Sequence, residues 1–346
     1  MEAAADILQD DCNQTSTRAA MDTKMKAFFM FSDEMGLGEL PPSPEDMRAY
    51  ATWLMLAGHC SNSDSLKQYL SAVRVYCARR GFWVPSPTEW APLKEVVAGA
   101  ARWFNSPRQA ALPVTIDMFI NLARTAPPAR ATTRQLILLE VLKDTAILLF
   151  HTMLRGSSLF PGWPAAACRT RQLTWDRVSV VDGGVVLKIL LSKTDQCREK
   201  PHFISLKEDG SEFCPVGALA RLKRMRGTDL MGSDHVLMIP NDSGRWRPLV
   251  KTEFVKWFKA RVAEMGYDAS KYSTHSFRHG SLALSLELEP NITMVKLQSN
   301  HLSQAIMTYS NIPPERRLQV SATMLKAISR TAAARDDHPD PGTRPE

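Results

Sequence analysis

Five side chains near the C-terminal end of the sequence carry the functional groups that phosphoryl transfer through a covalent tyrosine requires. They are His275, Arg278, His279, His301 and Tyr309, and they lie within 35 residues. A guanidinium can hold two non-bridging phosphate oxygens at once, and an imidazole can donate a hydrogen bond to the same group. A phenol has an ordinary pKa of about 10, so a tyrosine nucleophile needs neighbouring cations to stabilise its anion. The cluster therefore indicates chemistry on a phosphodiester, with Tyr309 as the candidate nucleophile.

A spacing of three residues puts His275 and Arg278 on one face of a helix. Taken alone, a short His-x-x-Arg pattern usually marks an ordinary amphipathic helix, and a lone tyrosine is usually a core aromatic. Two distant cations strengthen the functional interpretation. Arg155 follows a long apolar segment, and Lys193 lies where a predicted strand runs into a charged loop. Each of these alone is typical of a solvated charge, so the hypothesis depends on all the segments together.

The elements that must position these residues fall into two groups along the chain. Residues 1–20 are polar and acidic and are predicted to be flexible. Apolar residues at helical spacing predict a helical domain over 21–107. Ser43-Pro44 indicates one helix start, and Ser63 or Ser65 indicates another. The predicted helices of this domain cover about 21–36, 44–57, 63–81 and 89–104.

The second domain is predicted over residues 113–330, after a proline-containing linker, and combines helices with one small sheet. Leu173–Val180 and Val185–Leu191 predict a hairpin, and 202–206 predicts a third strand. A tail over 331–346 is rich in Pro, Asp and Arg and is predicted to be disordered. The expected fold class is mainly α with a small antiparallel β-sheet. The predicted helices of this domain cover about 115–124, 136–155, 215–226, 251–265, 275–287, 291–299, 303–310 and 314–330.

The charge distribution favours a polyanionic partner. The chain has a net charge of +7 and a pI near 9.1. Residues 1–107 have a net charge of −3 and the remainder +10, so the excess positive charge lies with the motifs. One predicted helix of the first domain nevertheless carries a basic stripe, which is a candidate DNA contact. The stripe consists of Lys67, Arg74, Arg79 and Arg80.

The six cysteines are scattered, without the paired spacing of a zinc site or a disulfide framework, and they indicate a reducing compartment. The acidic N-terminus does not resemble a signal peptide. The most apolar run, Leu136–Leu154, contains Glu140, Lys143 and Asp144. It is too short and too charged to cross a bilayer and is predicted to be a buried helix.

In combination these segments resemble the tyrosine recombinase, or phage integrase, family. Their order matches over about 113–325, and Tyr69–Arg74 is similar to part of the family's core-binding domain. The eight-residue spacing from His301 to Tyr309 resembles the branch of crypton and DIRS-like eukaryotic mobile elements and related viral enzymes. The matching segments are Thr152-Met-Leu-Arg155, Leu173-Thr-Trp175, Ser192-Lys-Thr194, His275-Ser-Phe-Arg-His279, His301 and Tyr309.

The resemblance implies a site-specific recombinase that breaks and rejoins DNA through a 3′-phosphotyrosine at Tyr309. Arg155 and Arg278 would hold the non-bridging oxygens, and His275 and His301 would complete the hydrogen bonding. Lys193 would protonate the leaving 5′ oxygen, and His279 is expected to be structural.

The resemblance also implies partners and a location. Double-stranded DNA would be bound by a homotetramer in synapsis, without a metal or other cofactor. The protein would be intracellular with DNA, in the nucleus of a eukaryotic host or in the cytoplasm and nucleoid of a bacterial or phage host. Two departures from the family pattern are Ser158, where an acid is common, and Asn300, where Gly is common.

Three alternatives remain open at the level of sequence. A type IB topoisomerase-like enzyme uses the same residue types to nick and reseal one duplex. A catalytically lapsed DNA-binding relative would be consistent with Ser158. A metal hydrolase could use His275, His279 and His301, although no acid lies between the first two and Arg278 would repel a cation.

Overall fold

The computed structural model of the chain describes residues 15–38, 40–84, 86, 88–104, 111–161, 173–190, 201–288, 291–299 and 314–337. The chain forms two compact units, Met1–Gln109 and Ala110–Glu346. The expected fold class, mainly helical with a small antiparallel sheet, is confirmed. Among the described residues, none of the helices combines the length and hydropathy that crossing a membrane requires.

The first unit is built from helices around one apolar core. Leu66, Leu70 and Val73 are fully buried at helical spacing, as the sequence pattern predicts. Ser43, at a predicted helix start, forms a capping box with Asp46, in which each side chain accepts from the other residue's backbone N–H. The described helices of this unit are α1 (Thr15–Met35), α2 (Pro44–Leu56), α3 (Ser63–Ala78) and α4 (Ala91–Trp103).

One helix boundary and one predicted cap of the first unit differ from the structure. Helix α1 begins at Thr15, six residues before its predicted start at residue 21. The N-cap of α3 is Asn62 and neither Ser63 nor Ser65. The Asn62 side chain accepts a hydrogen bond of 2.7 Å from the backbone N–H of Ser65, which satisfies an otherwise unpaired donor of the first turn.

The second unit combines a three-stranded antiparallel sheet with helices. Its strands are β1 (Val178–Val181), β2 (Gly184–Ile189) and β3 (His202–Lys207), with β2 in the centre. The described helices are α5 (Ile116–Ala123), α6 (Thr133–Thr152), α7 (Gly156–Leu159), α8 (Pro215–Arg226), α9 (Lys251–Glu264), α10 (Thr274–Leu288), α11 (Ile292–Ser299) and α12 (Pro314–Asp337).

The predicted strand over Leu173–Val180 is only half formed. Thr174 makes an isolated bridge with His235, and Trp175–Arg177 is a 3₁₀ turn, so β1 begins at Val178. A second, two-stranded sheet also contradicts the expectation of a single sheet. Its strands are β4 (Met238–Pro240) and β5 (Trp246–Pro248), and each is too short and too proline-rich to produce a strand signal.

The last described helix is longer than the sequence predicts and ends at Asp337. Helix α12 continues beyond the predicted end at residue 330, because Thr331–Ala334 consists mostly of strong helix formers and Ala332 is buried. The predicted loop over 192–200 and the predicted helix over 303–310 lie outside the described residues.

Candidate active site

Arg155 is positioned by the sharp end of the long buried helix α6. Met153 caps this helix in the left-handed conformation, with φ 53°, and is fully buried. A non-glycine residue adopts this conformation only when its surroundings hold it there. The turn directs the chain into α7, whose N-cap position is Arg155. The Arg155 side chain is half-buried at this corner.

Helix α10 positions the His-Ser-Phe-Arg-His motif. Two serine hydroxyls satisfy backbone donors at the start of this helix. Ser273 Oγ accepts from the His275 N–H at 3.2 Å, and Ser276 Oγ accepts from the Ser273 N–H at 3.0 Å. Phe277 is fully buried, with its ring centroid 4.7 Å from that of Phe258. This packing fixes the rotation of the helix, so that Arg278 is buried and His275 remains exposed.

The two arginine-bearing segments meet directly. Nη1 of Arg278 donates a hydrogen bond of 2.5 Å to the carbonyl of Met153. A Cβ added at Gly156 would lie 2.9 Å from Oγ1 of Thr274, so α7 and α10 approach too closely for a larger residue without adjustment. The structure therefore brings Arg155, His275 and Arg278 together, as the sequence hypothesis requires.

The electrostatics of this cluster are strongly cationic. Burial, and then the neighbouring charge of Arg155, lower the pKa of Arg278 to about 10, so the guanidinium stays charged at neutral pH. Burial also lowers the pKa of His275, and His279, Arg278, Arg155 and Lys251 lower it further. The charged groups that shift the pKa of His275 are thus all potential cations. Such an arrangement is suited to an anion, which would relieve the mutual repulsion.

Lys251 is a functional candidate that the sequence analysis missed. It is the first residue of α9 and is exposed. One turn later, the Phe254 ring packs 5.7 Å from the Phe277 ring and 5.4 Å from the Phe160 ring, which brings the start of α9 beside both α10 and α7. A lysine in the first turn of a helix is unfavourable, because its positive charge opposes the helix dipole. This unfavourable charge is the sequence signal that could have indicated Lys251.

His279 packs beside His275 and contacts the backbone. The two ring centroids are 4.4 Å apart in an edge-on arrangement, and Nδ1 of His279 lies 3.1 Å from the carbonyl oxygen of Ala111. Within the described residues, no group of three or more His, Cys, Asp or Glu side chains is placed to hold a metal ion.

Lys193, His301 and Tyr309 lie outside the described residues, but two of the flanking elements are in contact. Gln298, near the end of α11, is fully buried, and its Nε2 donates to the carbonyl of Ser205 in β3 at 2.6 Å. Its Oε1 accepts from the Ser205 N–H at 3.4 Å. The strand that follows the Lys193 segment and the helix that precedes the His301 segment are therefore joined.

The remaining predicted residues occupy different environments. Ser158 is buried, and its N–H donates to the Arg155 carbonyl at 2.8 Å, so it supports the backbone of Arg155. In the first unit, Nε of Arg74 donates to the Val84 carbonyl at 3.2 Å, which gives this arginine a structural role.

The other three members of the basic stripe lie on the surface of α3 or at its C-terminal end. Lys67 is exposed and lies 3.6 Å from Asp64, and the Arg80 guanidinium lies 3.6 Å from the centroid of the Tyr76 ring. Arg79 is half-buried at the C-cap. An exposed ion pair of this kind stabilises the helix little, so it leaves Lys67 available for other contacts.

Comparison with solved structures identifies the class of fold. No family model matches the sequence, and no curated protein matches it. A structure of the Tn1549 transposon integrase in complex with transposon right end DNA superposes with a TM-score of 0.57 at 14% identity, covering 90% of this chain and 93% of that chain. Another, in complex with a circular intermediate DNA, gives 0.56 at 13% identity, covering 93% and 97%. The chain thus has the fold of tyrosine recombinases of the integrase type. At these identities, the similarity establishes the fold and not the activity.

Proposed function

We propose that the protein is a site-specific DNA recombinase or integrase that acts through a 3′-phosphotyrosine on Tyr309. The observation that carries this proposal is the junction of Arg155, His275 and Arg278, where two guanidiniums and an imidazole meet on a recombinase fold. The integrases that share this fold were solved in complex with DNA, which supports double-stranded DNA as the partner of this chain as well.

The proposed reaction is a transesterification. The phenolic oxygen of Tyr309 attacks the scissile phosphorus, its proton passes to His275, and the bond to the 5′ oxygen breaks. Lys193 supplies the proton that the leaving 5′ oxygen takes up. Arg155 and Arg278 stabilise the additional negative charge on the non-bridging oxygens.

Further residues are proposed to contribute to phosphate binding and to DNA binding. His301 completes the hydrogen bonding to the phosphate, and Lys251 adds a further positive charge. In the first unit, Lys67, Arg79 and Arg80 are proposed to contact the DNA backbone, and Arg74 to support the loop at Val84. The finer proposals are the crypton/DIRS-like branch, a homotetramer on paired DNA sites, and a location with DNA inside the cell.

The test of the central assignment is covalent trapping on a nicked suicide substrate. The unmodified protein is expected to form an adduct, whereas Tyr309→Phe binds the same DNA and forms none. Tyr267→Phe is the matched control, because Tyr267 is exposed on the surface and should retain full activity. An adduct formed by Tyr309→Phe would show that Tyr309 is not the nucleophile.

A plasmid assay separates recombination from topoisomerase-like activity. Strand exchange between paired sites, without relaxation of a plasmid that lacks a site, is the expected result. Relaxation by the monomer independent of any site would favour the alternative. DNA binding without an adduct in the unmodified protein would indicate a lapsed enzyme.

A further inference from the structure

The segment that leads into the catalytic unit lies along the helix that carries the candidate active-site residues. In this connecting segment, residues 111–114, the Leu112 N–H donates to the Lys271 carbonyl at 2.9 Å and the Val114 N–H donates to the Ser276 carbonyl at 2.9 Å. Ser276 lies between His275 and Phe277 in α10. The connecting segment therefore contacts α10 at the turn from which His275 projects.

The approach of the two backbones is unusually close at Gly280. A Cβ added there would lie 1.9 Å from the carbonyl oxygen of Val114, and this neighbouring atom is backbone that cannot rotate away. Any larger residue at Gly280 would have to displace the connecting segment or the helix. Only glycine, which has no side chain, fits at this position without such a displacement.

His279, the residue before Gly280, also contacts the connecting segment. Its Nδ1 lies 3.1 Å from the Ala111 carbonyl, which can only accept, so Nδ1 carries the proton. This hydrogen bond fixes the ring plane of His279, and the ring in turn packs edge-on against His275 with centroids 4.4 Å apart. The orientation of His275 is therefore linked through His279 to the connecting segment.

We infer that His279 is a positioning residue, which ties α10 to the connecting segment and so holds His275 and Arg278 in place for reaction. The inference rests on the proposed function for its effect on rate. His279 is not proposed to touch the phosphate, because its Nδ1 donates to Ala111. Its loss should slow adduct formation while the affinity for DNA stays unchanged, which is the signature of an altered transition-state geometry.

The imidazole offers a matched pair of substitutions. The amide nitrogen of asparagine reaches the position of Nδ1, whereas that of glutamine reaches the position of Nε2. His279→Asn is expected to form the adduct on a nicked suicide substrate within about threefold of the unmodified rate, and His279→Gln and His279→Ala to be slower by about 10- to 100-fold. Equilibrium binding of the same DNA should change less than about threefold in each variant.

A second measurement does not depend on activity. Amide hydrogen exchange at Leu112 and Val114 should accelerate in the glutamine and alanine variants and in Gly280→Ala, and should stay near normal in the asparagine variant. If the unmodified protein forms no adduct, the proposed function fails, and hydrogen exchange alone decides the role of His279. Equal rates in all His279 variants, whether normal or slow, would overturn the inference. Loss of DNA binding in every variant would overturn it as well.

Discussion

Arg278 is bound to the backbone at Met153, two residues before Arg155, by a hydrogen bond of 2.5 Å from its Nη1. The separation of the two arginines is therefore set by a main-chain atom and not by flexible side chains alone. Because Met153 is held in the left-handed conformation, the position of this carbonyl is fixed by the end of α6. A planar guanidinium can reach the carbonyl and still present donors to a phosphate, which an ammonium cannot do with the same geometry.

Arg278→Lys is expected to reduce the rate of adduct formation by about 100-fold or more, because it loses bidentate stabilisation of the transition state. The rate should be measured in single-turnover trapping with DNA in excess. Arg261→Lys is the control, since Arg261 pairs with Glu264 on the surface of α9. A rate within about threefold of normal for Arg278→Lys would remove Arg278 from the phosphate-binding group.

Lys251→Ala should weaken DNA binding and lower the dependence of log Kd on log salt by about one unit, because one phosphate contact is lost. The comparison is made by titrating a duplex site at several salt concentrations. Lys326→Ala removes an equal charge from an exposed position on α12 and serves as the control. Identical salt slopes for the two variants would mean that Lys251 contributes only to the general positive charge.

The acid limb in the rate of adduct formation should lie at a lower pH than the ordinary histidine pKa of about 6.5 would place it. A lowered pKa keeps His275 neutral, and therefore able to accept a proton, at a pH where an ordinary histidine is half charged. Lys251→Ala removes one of the charges that lower this pKa, so its acid limb should move to higher pH. An acid limb that starts above pH 7 in the unmodified protein would contradict a neutral His275.

His151→Leu should make unfolding less sensitive to acid. His151 is fully buried, and burial lowers its pKa in the folded chain to about 4. In the unfolded chain its pKa has the ordinary value of about 6.5, so below that pH the unfolded chain binds a proton at His151 more readily than the folded chain does. Stability from the neutral form is present above pH 6.5 and is lost as the pH falls towards 4. The unmodified chain should lose about 2 kcal/mol more than the variant between pH 7 and pH 5.

Denaturant unfolding of both chains at the two pH values checks this difference. Asp144 acts in the opposite direction, because burial raises its pKa to about 6 and stability from its neutral form is lost as the pH rises. The contribution of Asp144 is common to both chains and cancels in the comparison. Parallel pH dependence of the two chains would show that His151 does not remain neutral on folding.

Local chemistry explains which parts of the fold were predictable. Ser43-Pro44, Thr115 and Pro215 begin helices where the sequence indicates, because a cap or a fixed φ needs only its neighbours. The turn after Thr174 was missed because it depends on a bridge to His235, which is distant in sequence. The short strands β4 and β5 likewise form through their pairing and not through their composition.

The residues of the candidate site were likewise only partly predictable from the sequence. The order of the motifs predicts Arg155, His275 and Arg278, and the structure brings these three together. The position of Lys251 beside the site follows from the packing of Phe254 against Phe277, which no sequence period encodes. Its unfavourable charge in the first turn of α9 was the one local signal. The assignments of Lys193, His301 and Tyr309 stay predictions, since these residues lie outside the described part of the chain.

The side-chain amide of Gln298 limits how a second molecule could pair with the edge of the sheet. Strand β3 lies at an edge of its sheet, where unpaired backbone groups could recruit a strand from another molecule. Gln298 occupies both backbone groups of Ser205, and Ser321 Oγ accepts from the Lys207 N–H at 3.1 Å. Both outward backbone groups of Ser205 and the N–H of Lys207 thus already have partners from α11 and α12. A strand from a second copy of the chain therefore has no free backbone group of Ser205, and no free Lys207 N–H, with which to continue the sheet along this part of β3.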